Sequence, residues 1–390
     1  MAANLTLMAI LAIVGQGLGM ATRAAADEPA SQQEPSPSGT PQPPQEEGPV
    51  AEEIGSLRNA RVAIAMPEEK RELTFFAGPM AAATKAELQQ LAPNVRIITG
   101  LTPAAALARA EEAHGIDARY ATPEFLARAK NLAWVQAMTA GVDRYITIDR
   151  LVKNDKIVLT NFRGVHGPTI ADHAMAMLLT LTRDLQAYAD QGPHRGTGRG
   201  TPNLRPTTLD GKTLLVVGVG GIGSEIGKRG DGFGMRVIGI RRSDSPSPEY
   251  FDRVGKPEEL LAMLPEADVV AVAVPLTLET EGLFNDEAFA AMKPGSIVIN
   301  IARGKVVETD ALVRAIESEK LAGACLDVTD PEPLPDDHPL RQFANVIITP
   351  HVAGNSEFTR QRGAALLAEN IRRFGAGEPL LNVVDKQIGY

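Results

Sequence analysis

Short apolar runs alternate with helix-periodic segments along most of the chain. Strands are predicted at residues 62–66, 95–98, 133–136 and 157–160, and helices at 85–91, 103–112 and 123–130. Pro103 and Pro123 each follow a threonine, which suits proline in a first helical turn behind a capping hydroxyl. A longer pattern at 169–188 is apolar over most of its surface and predicts a buried helix long enough to bridge two lobes. After a Gly/Pro/Arg loop at 191–205, strands are predicted at 214–217, 235–240, 269–274, 297–301, 322–328 and 346–349. Helices are predicted at 310–318 and 357–374. Strands alternating with helices imply an α/β protein built on doubly wound parallel sheets.

The strand at 214–217 runs directly into Gly218-x-Gly220-x-x-Gly223, with Gly221 and Ile222 inside the turn, then a helix-length segment and the strand at 235–240. In that context the glycines bind a dinucleotide. Gly218 allows a tight turn, Gly220 lets a pyrophosphate approach the backbone, and Gly223 lets helix and strand pack closely. The helix N-terminus offers unpaired N–H groups to the phosphates. After the second strand, where an NAD site places an acid on the ribose 2′-hydroxyl, the chain has Arg241, Arg242 and Ser243. Two cations and a hydroxyl suit a 2′-phosphate, so NADP is favoured over NAD.

Composition narrows the alternatives. With 390 residues, 44% hydrophobic and 22% charged, the chain is expected to form two to three folded domains. A net charge of −9 argues against a nucleic-acid partner. The single cysteine, Cys325, lies in an apolar run and reads as a buried strand residue, which leaves neither a disulfide framework nor a thiolate metal site. The six histidines show no metal-ligand spacing.

Residues 5–18 form an apolar run of signal-peptide length, and Ala24-Ala25-Ala26 is a small-residue cleavage pattern. The first four residues carry no Lys or Arg. Two readings therefore stand: an exported protein that loses residues 1–26 and keeps no membrane span, or a cytoplasmic protein translated from Met20. Residues 27–56, rich in Pro, Gln, Ser and Glu, are read as a disordered tether. Export conflicts with a soluble cytoplasmic dinucleotide, because no twin-arginine signal is present.

Reaction of a nicotinamide with a 2-oxo or 2-hydroxy acid needs a cation for the carboxylate, a general acid/base, and a group that orients that acid/base. Arg303, Glu332 and His351 follow the predicted strands at 297–301, 322–328 and 346–349, at the ends that face the crevice of an open sheet. Singly, each also fits a turn or surface-loop role. Their placement after successive strands, downstream of the glycine turn, points to a catalytic set.

Five ordered motifs carry a wider likeness: VVGVGGIG, ADVVAVAVPLTLETEGLFN, MKPGSIVINIARGKVVETDAL, AGACLDVTDPEPLPDDHPL and ITPHVAGNS. With them, residues 57–390 resemble the D-isomer-specific 2-hydroxyacid dehydrogenase family, and its glyoxylate/hydroxypyruvate reductases in particular. The resemblance implies a Rossmann-type domain (163–354) inserted into a smaller flavodoxin-like substrate domain (57–162 and 355–390), and a homodimer. It implies that Arg303 binds the substrate carboxylate, that His351 donates or accepts the proton, and that Glu332 orients the histidine and favours its protonated form. A loop at 138–143, with Ala140 and Gly141, would cradle the carboxylate. Val274, Pro275, Thr280, Ile301 and Ala302 would wall the cofactor, and Asp327 would bond the nicotinamide carboxamide. A small 2-oxo or 2-hydroxy acid is the implied substrate. Two alternatives remain: a dinucleotide sensor of the same fold without turnover, and a phosphoglycerate-dehydrogenase-like enzyme. Two departures from the family pattern stand out. Gly227, Gly230 and Gly232 weaken the helix after the glycine turn, and His173 replaces a glutamate and reads as a helix-packing residue.

Overall fold

The computed structural model describes residues 72–186 and 206–389. The leader, the tether, the expected strand at 62–66 and the loop at 191–205 lie outside the described residues. Contacts divide the chain into two compact units.

The first unit comprises, among described residues, 72–138, 153–160 and 361–383. Its sheet has five strands, β1 (Leu73–Phe76), β2 (Val95–Ile98), β3 (Gly115–Asp117), β4 (Trp134–Gln136) and β5 (Val158–Thr160), in the order β2-β1-β3-β4-β5. All pairings are parallel, which is the flavodoxin-like order with its reversal between β1 and β3. Helices α1 (Ala82–Leu91), α2 (Pro103–Ala108) and α3 (Pro123–Arg128) supply crossovers. The threonine caps form as expected: Thr102 and Thr122 accept from the backbone N–H of Ala105 and Phe125, each at 3.2 Å. Trp134 anchors the core between Phe75 and Phe374, with ring centroids 4.8 and 5.1 Å away. Its indole N–H donates to Thr160 Oγ1, which donates to Gln136 Oε1, so the buried polar groups are paired.

The second unit comprises, among described residues, 139–152, 161–186, 206–360 and 384–389. Its seven strands are β6 (Thr213–Val217), β7 (Arg236–Ile240), β8 (Arg253–Gly255), β9 (Val269–Val272), β10 (Ser296–Asn300), β11 (Leu321–Leu326) and β12 (Val346–Ile348). Their order is β12-β11-β10-β9-β6-β7-β8, all parallel. Strands β6, β9 and β10 are buried on both faces, as a sheet covered by helices requires. Two apolar layers flank the sheet, one built on Leu215, Ile238 and Val298, the other on Leu214, Val237 and Ile299. The strand order reverses between β6 and β9, and that switch point is where ligands of such sheets bind.

Helix α4 (Asp149–Val152) belongs to this unit, as do α5 (Gly167–Thr182), α6 (Gly221–Gly232), α7 (Leu260–Met263), α8 (Asp286–Ala291) and α9 (Thr309–Glu317). Helix α5 ends at Thr182, next to Asp184, whose positive φ of 53° turns the chain; residues 187–188 of the expected pattern lie outside the described residues. It packs on α6 and β11. Helix α10 (Glu357–Ala376) closes the regular structure, and from Gln361 its residues count with the five-stranded unit. Segments 139–152 and 384–389 group with the seven-stranded sheet, whereas the sequence reading ran the smaller domain over 57–162 and 355–390.

Candidate active site

At the switch point Gly218 ends β6 with φ +108°, a backbone state that L side chains rarely adopt. A β-carbon there would fall 2.7 Å from the Ala273 carbonyl at the end of β9, so the two strand ends approach too closely for any other residue. Helix α6 begins at Gly221, and its first-turn N–H groups have no partners within the helix. The turn opens into a cavity of ≈ 520 Å³ in the seven-stranded unit, a volume typical of small-molecule and cofactor sites. Gly218, Gly220, Gly221 and Ile222 line it. Gly223 does not: its α-carbon lies against the Gly218 carbonyl and seats the helix on the strand.

The remaining walls come from loops after neighbouring strands. Arg241, Arg242 and Ser243 follow β7, and Val274, Pro275 and Thr280 follow β9. Arg241 donates from Nε to Ser243 O at 3.3 Å and from its other nitrogens to the carbonyls of Ser245 and Pro246, which curls the loop around the guanidinium. Arg242 faces Glu279 across 3.7 Å. Lys256 joins this cluster, donating to Arg242 O at 3.1 Å and pairing with Asp244. Thr280 is fixed by donating to Pro275 O at 2.6 Å.

The other end of the cavity is lined by Ile301, Ala302 and Arg303 after β10, and by Ala140, Gly141, Val142 and Asp143. Arg303 Nε donates to Asp143 Oδ1 at 3.0 Å and Nη1 to Ala302 O at 2.8 Å. Its Nη2 lies so close to Gly141 that a β-carbon there would stand 1.6 Å away, so a larger residue would displace the guanidinium. Two asparagines hold these loops. Asn161 Nδ2 donates to Ala140 O at 2.8 Å, and Asn300 accepts from Ala302 N while donating to Arg303 O. Neither asparagine was singled out from sequence, although an Asn at a strand end is a legible turn-forming signal.

Strands β10, β11 and β12 are adjacent, so the segments bearing Arg303, Glu332 and His351 leave neighbouring strands in order. His351 Nδ1 lies 2.7 Å from Glu332 Oε1, and both side chains are substantially exposed. The structure thus joins Glu332 with His351, and Arg303 with Gly141 and Asp143. Neither Glu332 nor His351 is among the residues lining the cavity. Asp327, expected to face the cofactor, is buried and does not line it either. Its carboxylate instead accepts from Thr349 Oγ1 (2.7 Å), Val352 N (2.9 Å) and Ala353 N (3.0 Å).

A dinucleotide suits this cavity on its own chemistry: a glycine turn that a β-carbon would fill, a free helix N-terminus, and cations at one end. Among the described residues no helix is long and apolar enough to cross a membrane.

Comparison with known proteins agrees with this geometry. Residues 175–353 match the model of the D-isomer specific 2-hydroxyacid dehydrogenase NAD binding domain. The chain is 37% identical over 238 residues to a glyoxylate reductase of Korarchaeum cryptofilum, covering 60% of this chain and 70% of that one. A crystal structure of a D-isomer specific 2-hydroxyacid dehydrogenase family protein from Aeromonas salmonicida superposes with a TM-score of 0.69 at 33% identity, over 81% of this chain and 99% of that one. A structure from Xanthobacter autotrophicus, solved in complex with NADPH and MES, gives a TM-score of 0.67 at 30% identity over 82% and 100% of the two chains.

Proposed function

Because the chain belongs to the D-isomer-specific 2-hydroxyacid dehydrogenase family of NAD(P)-dependent oxidoreductases acting on CH–OH donors, we propose that it reduces a small 2-oxo acid of the glyoxylate or hydroxypyruvate kind, with NADPH preferred over NADH. The observation that carries the reading is the 2.7 Å contact between His351 and Glu332 on the loops that follow β11 and β12, beside the strand that leads to Arg303.

In this reading the glycine turn and the α6 N-terminus hold the pyrophosphate, and Arg241, Arg242 and Ser243 hold the 2′-phosphate. The bound nicotinamide supplies the hydride in reduction and accepts it in oxidation. Arg303 uses Nη2, the nitrogen beside Gly141, to bind the substrate carboxylate and polarise the carbonyl, while Asp143 and Ala302 O fix its plane. A carboxylate only accepts, so His351 donates its Nδ1–H to Glu332. That leaves Nε2 to carry the proton given to the substrate oxygen in reduction and taken back in oxidation.

The NADPH preference is supported by the three positions after β7 that line the cavity, and by the NADPH bound to the Xanthobacter relative. A steady-state panel of glyoxylate, hydroxypyruvate and pyruvate against NADH and NADPH tests the whole reading. Turnover is expected with a small 2-oxo acid and NADPH. Tight dinucleotide binding with no cofactor oxidation would favour the sensor, and a demand for a phosphorylated substrate would favour a phosphoglycerate-type enzyme. The proposal also includes a homodimer, tested by light scattering, and removal of residues 1–26 on export. Sequencing the mature N-terminus distinguishes a start at Asp27 from one at Met20.

A further inference from the structure

A polar cluster beside the His351 loop plays no part in the chemistry just described. His173, on α5, brings Nε2 to 3.0 Å from Thr349 Oγ1. Thr349 Oγ1 donates to Asp327 Oδ1 at 2.7 Å. Asp327, only 3% exposed, takes the N–H groups of Val352 and Ala353 on its carboxylate and that of His351 on its own carbonyl, at 2.8 Å. Three consecutive backbone amides, 351–353, therefore hang on one buried residue.

The direction of the bonds follows from proton counting. A threonine hydroxyl has one proton, and a carboxylate can only accept, so Thr349 gives its proton to Asp327. Toward His173 the hydroxyl has only lone pairs left, and His173 must carry hydrogen on Nε2. The 3.7 Å between His173 Nε2 and Asp327 Oδ1 is too long for a direct hydrogen bond, so the histidine reaches the carboxylate through the threonine.

This arrangement has work to do, because His351 sits at φ +54°, in the left-handed region that a β-carbon makes unfavourable. Such a backbone persists when its surroundings over-determine it. We propose that His173 is a positioning residue: its Nε2–H holds Thr349, Thr349 orients Asp327, and Asp327 clamps the strained 351–353 backbone that aims His351. This goes beyond the packing role expected for His173 and rests on the reading of His351 as the acid/base.

The test measures kcat, KM for glyoxylate and the Kd for NADPH in the full-length protein, for His173→Leu, His173→Gln, Thr349→Val, Thr349→Ser and His351→Ala. Gln places an amide N–H near the position of Nε2, whereas Leu preserves apolar packing and removes the donor. Loss of positioning should lower kcat in His173→Leu by about tenfold or more, while His173→Gln keeps at least about a third of it and NADPH binding changes less than about twofold. A packing role predicts the opposite order, with Leu better tolerated than Gln, and that order would overturn the proposal. Equal kcat values in all the His173 variants would also overturn it. Should His173→Leu fail to fold, the Thr349 pair decides: Ser is expected to retain kcat and Val to lose it, and equal values count against the relay. His351→Ala separates the two levels. If that variant turns over normally, the reading of His351 fails; if it is inactive while His173→Leu is not, the relay alone fails.

Discussion

Arg241 shows how a residue assigned from its position acquires a second task in the fold. Its guanidinium bonds three carbonyls of its own loop, so it shapes the site as well as charging it. Arg241→Asp should therefore shift the kcat/KM ratio from NADPH toward NADH by about tenfold or more, since a 2′-phosphate loses a cation and a ribose diol gains an acceptor. An unchanged ratio would sink the NADP preference. Cys325 is as inert as its apolar run suggested: it is fully buried in β11, and burial pushes its thiol up to about 12. Because the folded pKa lies above the ordinary thiol value of about 8.5, the unfolded chain ionises first as pH rises. This residue's share of stability is whole below that ordinary value and drains away toward pH 12. A thiol reagent at pH 8 should leave the native protein unlabelled and modify one cysteine after denaturation; native labelling would contradict the burial.

At the scale of elements, α6 corrects an expectation. Its glycines looked like weak points, yet the helix runs unbroken from Gly221 to Gly232. A β-carbon on Gly227 would lie 2.4 Å from the Phe251 ring, and one on Gly230 would lie 2.5 Å from Leu214, so these residues let the helix sit close to the sheet. Gly232 meets nothing within 4 Å. Gly227→Ala should cost about 1–3 kcal/mol through overpacking, whereas Gly232→Ala should gain up to about 1 kcal/mol from helix propensity. Urea denaturation of both variants checks the pair, and equal signs would refute the packing argument. Elements with strong local signals were readable in advance: the threonine-proline starts of α2 and α3, and the β6–glycine–α6 unit. Strands β1, β3 and β8 were missed. β3 (GID) and β8 (RVG) each hold a glycine and too little apolar sequence to mark a strand, so pairing with neighbours makes them strands, whereas β1 (LTFF) carried a usable apolar run. Helix α8 was missed despite a usable signal, the Asn285 side chain that caps it by accepting from Ala288 N at 3.1 Å.

For the molecule as a whole, the cavity lies within the seven-stranded unit, so a cofactor that binds only the folded state must stabilise that unit by mass action. NADPH at a hundredfold excess over its Kd should add about 2.7 kcal/mol, which corresponds to a rise in Tm on the order of 5–10 °C for a unit of this size. Differential scanning calorimetry checks this, and no rise with either dinucleotide would contradict the cofactor assignment.

Read alone, the amino-acid sequence determined the α/β class and the strand–glycine–helix unit, and it marked Arg303, Glu332 and His351 as candidates. Those signals are local: a hydrophobic period, a glycine spacing, or a residue placed just past a strand. Tertiary structure decided which of those residues meet. Nothing within the Asp143 or Asp327 segments announces that one carboxylate will fix Arg303 and the other will take the backbone N–H groups of Val352 and Ala353, since the partners lie far apart in the chain. The Asp327 pairings arise because β11 and β12 lie side by side and bring their C-terminal ends together, and there a buried carboxylate must find whichever donors the fold supplies.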